Sequence, residues 1–190
     1  MEINYFEDLD LKNENYSKVE LSKGDYDNCF FTDCNFSNSD LSDVNFAECL
    51  FVDCDFSNAK LNNSSFKDVS FTNCKLMGLH FDYCNKFLLE FSFKECILNF
   101  SSFYKLDIKN TTFQNCKLEE VEFVEANLSN SIFQDCDLSQ AIFENTILEK
   151  ADLSTSYNFT IDPETNQIKK AKFSRQNIIG LLDKYNITIE

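Results

Sequence analysis

Large apolar residues recur along this chain at every fifth position. Counting from Phe6, the step of five meets Leu11, Tyr16, Leu21, Tyr26, Phe31, Phe36, Leu41, Phe46, Phe51, Phe56, Leu61, Phe66, Phe71, Leu76 and Phe81, with no polar exception. The next step falls on Lys86, and the series resumes two residues later at Leu88. From there it runs through Phe93, Leu98, Phe103, Ile108 and Phe113 to Leu153. Such a period matches neither the turn of a helix, about 3.6 residues, nor the plain alternation of a half-buried strand.

Two residues before each centre stands a second, mostly smaller side chain. All nine cysteines occupy this place: Cys29, Cys34, Cys49, Cys54, Cys74, Cys84, Cys96, Cys116 and Cys136. Residues two apart on an extended chain point the same way. Each unit of five therefore sends one large and one small side chain inward and turns a corner with the rest. In the second half Phe and Leu mostly alternate, which predicts a four-sided tube with a coil of 20 residues. Allowing two extra residues near Lys86 aligns Cys34, Cys54, Cys74, Cys96, Cys116 and Cys136 in one column. The break then predicts a two-residue bulge at 85–87, with Asn85, Lys86 and Phe87 outward and Cys84 and Leu88 inward.

Residues 1–18 read as an irregular first coil or cap, 19–153 as the repeat region and 154–190 as a different segment. In the last, Ile161-Asp162-Pro163 marks a turn, and Ile168, Ala171 and Phe173 are placed to complete a partial coil. Ser174 is a suitable N-cap. After it Ile178, Ile179, Leu181, Leu182 and Tyr185 share one face of a short helix, and YNITI alternates like a strand. The tail either plugs the open end of the apolar tube or joins two copies as a homodimer, and the two roles are compatible.

The units CNFSN, SDLSD, VNFAE, CDFSN, AKLNN, ANLSN, CDLSQ and ADLST resemble the pentapeptide-repeat family, A(D/N)LxX, over roughly residues 19–153. The resemblance implies an all-β solenoid, a right-handed quadrilateral β-helix, here followed by the short C-terminal helix. The tail is similar to those of Qnr-type quinolone-resistance proteins and of the immunity protein against a gyrase-poisoning microcin. That likeness implies a protein partner, DNA gyrase or topoisomerase IV, a tail-to-tail dimer and imitation of duplex DNA. Qnr-type proteins often carry long projecting loops, and this chain has only its bulge.

Composition narrows the choice. Twenty-one phenylalanines call for a packed interior, and three glycines with one proline are too few for a turn-rich sandwich. No stretch approaches the ~20 apolar residues of a membrane span, and the acidic start MEINYFEDLDLKNENY is unlike a secretory signal. Neighbouring inward thiols would stand ~4.8 Å apart, beyond the ~3.8 Å between Cβ atoms in a disulfide. Reduced, buried cysteines point to the cytoplasm. One histidine, His80, leaves no zinc set, and neither a cofactor nor a catalytic constellation is expected.

Net charge is −15, and residues 6–153 hold 27 Asp and Glu against 12 Lys and Arg, so the repeats carry the excess. Such a surface repels nucleic acid and anionic membrane and attracts a basic protein partner. A rod of ~7.5 coils at ~4.8 Å would be ~36 Å long, and that length of duplex DNA carries ~21 charges. Two acid columns form the candidate partner surface: Asp33, Asp53, Glu95 and Asp135, and beside them Glu48, Asp68 and Glu90. Their other reading is plain solubility. Phe30 and Leu50 on one wall and Phe87 on the bulge are candidate apolar contacts, which keeps open a scaffold with an unrelated partner.

Overall fold

The computed structural model describes residues 4–188. The chain climbs as a four-walled solenoid in which a residue lies above the one 20 positions earlier, or 22 across the bulge. Among the described residues the first wall, centred on Phe6, Tyr26, Phe46 and Phe66, is a four-stranded parallel ladder: Asn4–Glu7, Gly24–Asp27, Asn45–Ala47 and Ser65–Lys67. The second wall holds nine parallel strands, from Asp10–Lys12 through Phe30–Thr32 and Leu50–Val52 to Lys172–Phe173. Single bridges build the other two walls, among them Asn35↔Asp55 on the third and Ser102↔Glu122 on the fourth.

The inward centres stack in columns. On the second wall Phe31, Phe51, Phe71, Phe93, Phe113 and Phe133 form one file, with ring centroids 4.7 to 5.4 Å apart between neighbours. Around the corner the rings meet edge to face, as Phe51 and Phe56 do at 5.0 Å and 84°. Both arrangements suit aromatic quadrupoles. Lower down, the first and third walls are also aromatic, with Phe46 over Tyr26 and Phe56 over Phe36. Higher up the fourth wall takes over, with Phe103, Phe123 and Phe143 above Phe81.

The small inward place has its own logic. Its side chain lies against a backbone carbonyl of the coil below. Cys54 Sγ donates to Phe31 O at 3.4 Å, Ser64 Oγ to Leu41 O at 2.8 Å and Thr146 Oγ1 to Phe123 O at 2.8 Å. A short S–H or O–H fits there and adds a second donor to the carbonyl: Leu41 O also accepts the Val44 N–H at 3.2 Å, and Phe123 O the Ala126 N–H at 3.1 Å. All nine cysteines are free and buried. Burial pushes the Cys49 thiol up to about 12, and the enclosed place makes these cysteines space-filling groups.

The corners explain the polar half of the repeat. Two residues after a centre the backbone turns left-handed: Asn38, Asp53, Asn63, Asn115 and Asp135 have φ between 52° and 59°. Asn and Asp tolerate this region better than other non-glycine residues. The Asp or Asn just before a centre accepts the N–H two residues on: Asp40 from Ser42 at 3.0 Å and Asp55 from Ser57 at 2.9 Å. These Asx turns close each corner.

The bulge departs from expectation. Asn85 N donates to Ser64 O at 2.7 Å and Glu90 N to Phe66 O at 2.9 Å. The residues between leave the wall, and Leu88, expected inward, is 62% exposed. Phe91 enters the core instead, from a place ordinarily given to a small side chain, with its ring 5.4 Å from Phe81 and 5.1 Å from Phe93. It is large enough to replace the missing centre from its offset position. The second wall runs on across the break, with Val69 pairing Phe91 and Phe71 pairing Phe93.

Coil pairing continues past Leu153. Tyr157, Gln167 and Lys172 bridge to Asp137, Ile147 and Asp152, and Phe159 and Ile161 are buried. Beyond Phe173 the helix is two short 3₁₀ turns, Ile178–Leu181 and Asp183–Tyr185. Ser174 Oγ accepts the Asn177 N–H at 3.0 Å, but the first 3₁₀ turn begins at Ile178 with Asn177 as its N-cap and no side-chain cap, so Ser174 closes the preceding turn and not the expected helix. Gly180 O accepts the Ile161 N–H at 2.9 Å, and a Cβ at Gly180 would collide with Phe159 O. That close approach bends the tail over the open end, where Leu181 meets the core. Residues 185–188 form no strand, and Ile189 of the YNITI segment lies outside the described residues.

Candidate protein-binding surface

Asp33, Asp53, Glu95 and Asp135 stand on one edge of the rod, between the second and third walls, interleaved with Asn73 and Asn115. All six are left-handed corner residues. The Asn73 side-chain amide donates to the Asp53 carboxylate. The same device recurs elsewhere: Asn28 donates to Asp8 at 2.7 Å, Asn63 to Asp43 at 2.8 Å and Asn127 to Asp107 at 3.0 Å. Carboxylates stacked directly at strand spacing repel one another, and an intervening amide removes that repulsion and supplies a donor. The acidic edge is therefore built into the turns.

Glu48 and Asp68 share the next edge, between the first and second walls. Glu90 stands apart from them: it closes the bulge through its backbone and lacks the left-handed turn. Reading the chain by column missed a third group. Glu119 and Glu120 stand at the edge between the third and fourth walls, Glu122 on the fourth wall and Glu125 at the corner beyond it. Glu119 accepts from Asn99 at 2.9 Å, Glu122 from Ser102 Oγ at 2.7 Å, and Glu125 lies 3.3 Å from Lys105 Nζ. The run EEVEFVE was its only signal.

Phe30 and Leu50 are direct neighbours in the second-wall ladder, one exposed and the other half-buried. Phe87 does not join them, because its loop lies over the first wall. In the tail Ile178, Ile179 and Tyr185 are exposed, whereas Leu181 and Leu182 are half-buried. His80 stands on the fourth wall, stacked on Tyr83, with Nδ1 3.2 Å from Asp82 Oδ1. Among the described residues no group of His, Cys, Asp and Glu converges to hold a metal ion, and no helix is long and apolar enough to cross a membrane.

A four-walled parallel solenoid with a five-residue unit and Asx-closed corners defines the class of pentapeptide-repeat proteins. The sequence model described as "Pentapeptide repeat region" matches residues 24–91 and 86–178, and the chain belongs to that family. Among solved structures it is similar to QnrB1, a plasmid-mediated fluoroquinolone resistance protein. A trypsin-treated form shares 19% identity over 98% of this chain and 100% of that one, with a TM-score of 0.65. A second trypsin-treated form shares 18% over 96% and 99%, with a TM-score of 0.64. Full-length QnrB1 shares 18% over 97% and 100%, at 0.54. At such identities the likeness is one of fold. No curated protein matches the chain.

Proposed function

We propose that this protein is a non-catalytic, cytoplasmic solenoid that binds a type II topoisomerase, DNA gyrase or topoisomerase IV, in the manner of duplex DNA. It thereby modulates the enzyme or protects it from inhibitors. The observation that carries the reading is the charge: the whole excess of −15 lies in residues 6–153, held on edges whose geometry the turns fix. A rod ~36 Å long with that excess has roughly two-thirds of the linear charge of B-DNA. The fold shared with QnrB1 along nearly the whole chain supports the same reading. The exposed Ile178, Ile179 and Tyr185 would join two copies tail to tail.

The test is a gyrase supercoiling assay with and without a quinolone. Micromolar protein is expected to alter supercoiling or to relieve the drug, and no effect in either arm rejects the proposal. A scaffold with an unrelated partner is favoured by the exposed Phe30 beside Leu50. A pull-down that survives neutralisation of Asp33, Asp53 and Asp135 but fails with Phe30→Asp would establish that alternative.

A further inference from the structure

We propose that the first wall of the N-terminal half, between Tyr5 and the bulge, is a docking groove for a protein segment presenting an arginine or lysine beside apolar side chains. This rests on the reading of the solenoid as a protein binder, but not on which enzyme is bound.

The groove has a volume of about 340 Å³. Its floor is made of short side chains, Asn45, Ala47 and Ser65, and an aromatic ring stands at each end. Tyr5 is 58% exposed, and its hydroxyl donates to Asp27 Oδ2 at 2.8 Å. Phe87 is 68% exposed, and its N–H donates to Asn85 Oδ1 at 3.0 Å, which fixes how the bulge leaves the wall. Tyr5 and Ser65 are three strands apart, so the floor spans ~14 Å, the reach of about four extended residues.

Charge selects the occupant. Asp25 accepts the Asn45 amide on Oδ1 at 2.6 Å and Asp27 accepts Tyr5 on Oδ2, which leaves one oxygen of each carboxylate for an outside donor. Among the described residues no lysine or arginine forms an ion pair with either. Lys67, the cation of the groove, is instead placed 5.9 Å from the centre of the Phe87 ring. Glu7, Asp8, Glu48 and Asp68 adjoin the same wall and strengthen the field. A guanidinium suits this setting, since it forks between carboxylate oxygens and stacks on aromatic faces, and its apolar neighbours would rest on Tyr5 and Phe87.

The probe is the blocked tripeptide Leu-Arg-Leu, titrated into the isotope-labelled full chain by NMR, with Leu-Glu-Leu as control. Saturable shifts are expected at residues 5, 25–27, 45–47, 65–67 and 85–89, with none from the control. Phe87→Ala, and Asp25→Asn with Asp27→Asn, should each weaken binding at least ~5-fold; Phe87 is exposed, so the melting temperature of Phe87→Ala should match the parent's, and the isosteric amides should keep the half-buried positions 25 and 27 folded. No saturation at about 10 mM peptide, where a 1 mM site would be full, overturns the proposal. So do shifts spread over all the acidic edges, or first-wall shifts that follow protein concentration without peptide, which would mean a second copy sits there. If the peptide binds and gyrase is untouched, the groove stands and the topoisomerase reading falls. If gyrase responds alike to the parent and to Phe87→Ala while the peptide fails to bind, the groove falls alone.

Discussion

The ammonium of Lys184 lies 2.6 Å from Oδ1 of Asp162 and 2.7 Å from Oε2 of Glu164, so one cation of the tail closes on two carboxylates of the last coil. Tyr185 adds a hydrogen bond to Glu164 at 2.8 Å. The hydrogen bonds from Lys184 hold both carboxylates below their ordinary range. Partial desolvation would lower Lys184, but its bonds to Asp162 and Glu164 outweigh this and push it up. The acids have depressed folded values, so their contribution is whole above their unfolded pKa values, ~3.9 and ~4.3, and fades as pH falls through the lower folded ones. The lysine's contribution is whole below ~10.4 and fades as pH rises through its raised value. Hydrogen exchange of residues 177–185, corrected for intrinsic rates, is therefore expected to be flat across neutral pH and to accelerate in acid. Lys184→Gln should speed exchange at neutral pH and blunt the acid response. The pair is exposed, so added salt should weaken it.

Asn73 separates Asp53 from Glu95 on one acidic edge. Asn73→Asp would place four like charges, at 33, 53, 73 and 95, on successive rungs and remove the amide donor. A loss of roughly 0.2–1 kcal/mol in urea unfolding is expected at low ionic strength, shrinking in high salt. Asp53→Asn should show no such salt-dependent loss.

Phe100 is half exposed at a corner with φ of 64°. Equivalent corners carry Asn38 and Asn58, which tolerate that backbone. Phe100→Asn should stabilise the protein by about 1 kcal/mol, since the left-handed region is strained for a bulky residue. A loss in thermal or urea unfolding would mean that contacts of the ring outweigh the strain.

The proposed dimer depends on Ile178 and Ile179, which face outward, while Leu181 meets the core. Changing both isoleucines to aspartate should leave coil unfolding unchanged and halve the sedimenting mass. A parent that sediments as a monomer, or a variant that stays dimeric, removes the tail from the interface.

The interior was legible because a wall has no freedom: each rung needs one large inward side chain, and the period of five exposes it. Leu88 was misplaced because periodicity counts positions and cannot weigh volumes, and Phe91 from an offset place fills the gap better. The acid columns were visible, but their main constraint was not. Asp33, Asp53 and Asp135 hold left-handed corners, so aligned carboxylates arise from turn chemistry before any partner is considered. In the tail, apolar spacing at 178–185 reads as an α-helix. The segment instead forms 3₁₀ turns tied to the last coil where Gly180 O accepts the Ile161 N–H, and such a long-range contact leaves no local mark.

Because Phe113 sits under Phe133, as Tyr26 sits under Phe46 on the other ladder, excision of residues 114–133 would join two equivalent points of the spiral. Every later side chain would keep its wall, and the molecule would simply be one storey shorter. Excision of five residues would turn everything above it by a quarter. The size of this protein is thus quantised, and a gene can tune the reach of its charged exterior by whole storeys without redrawing the interior.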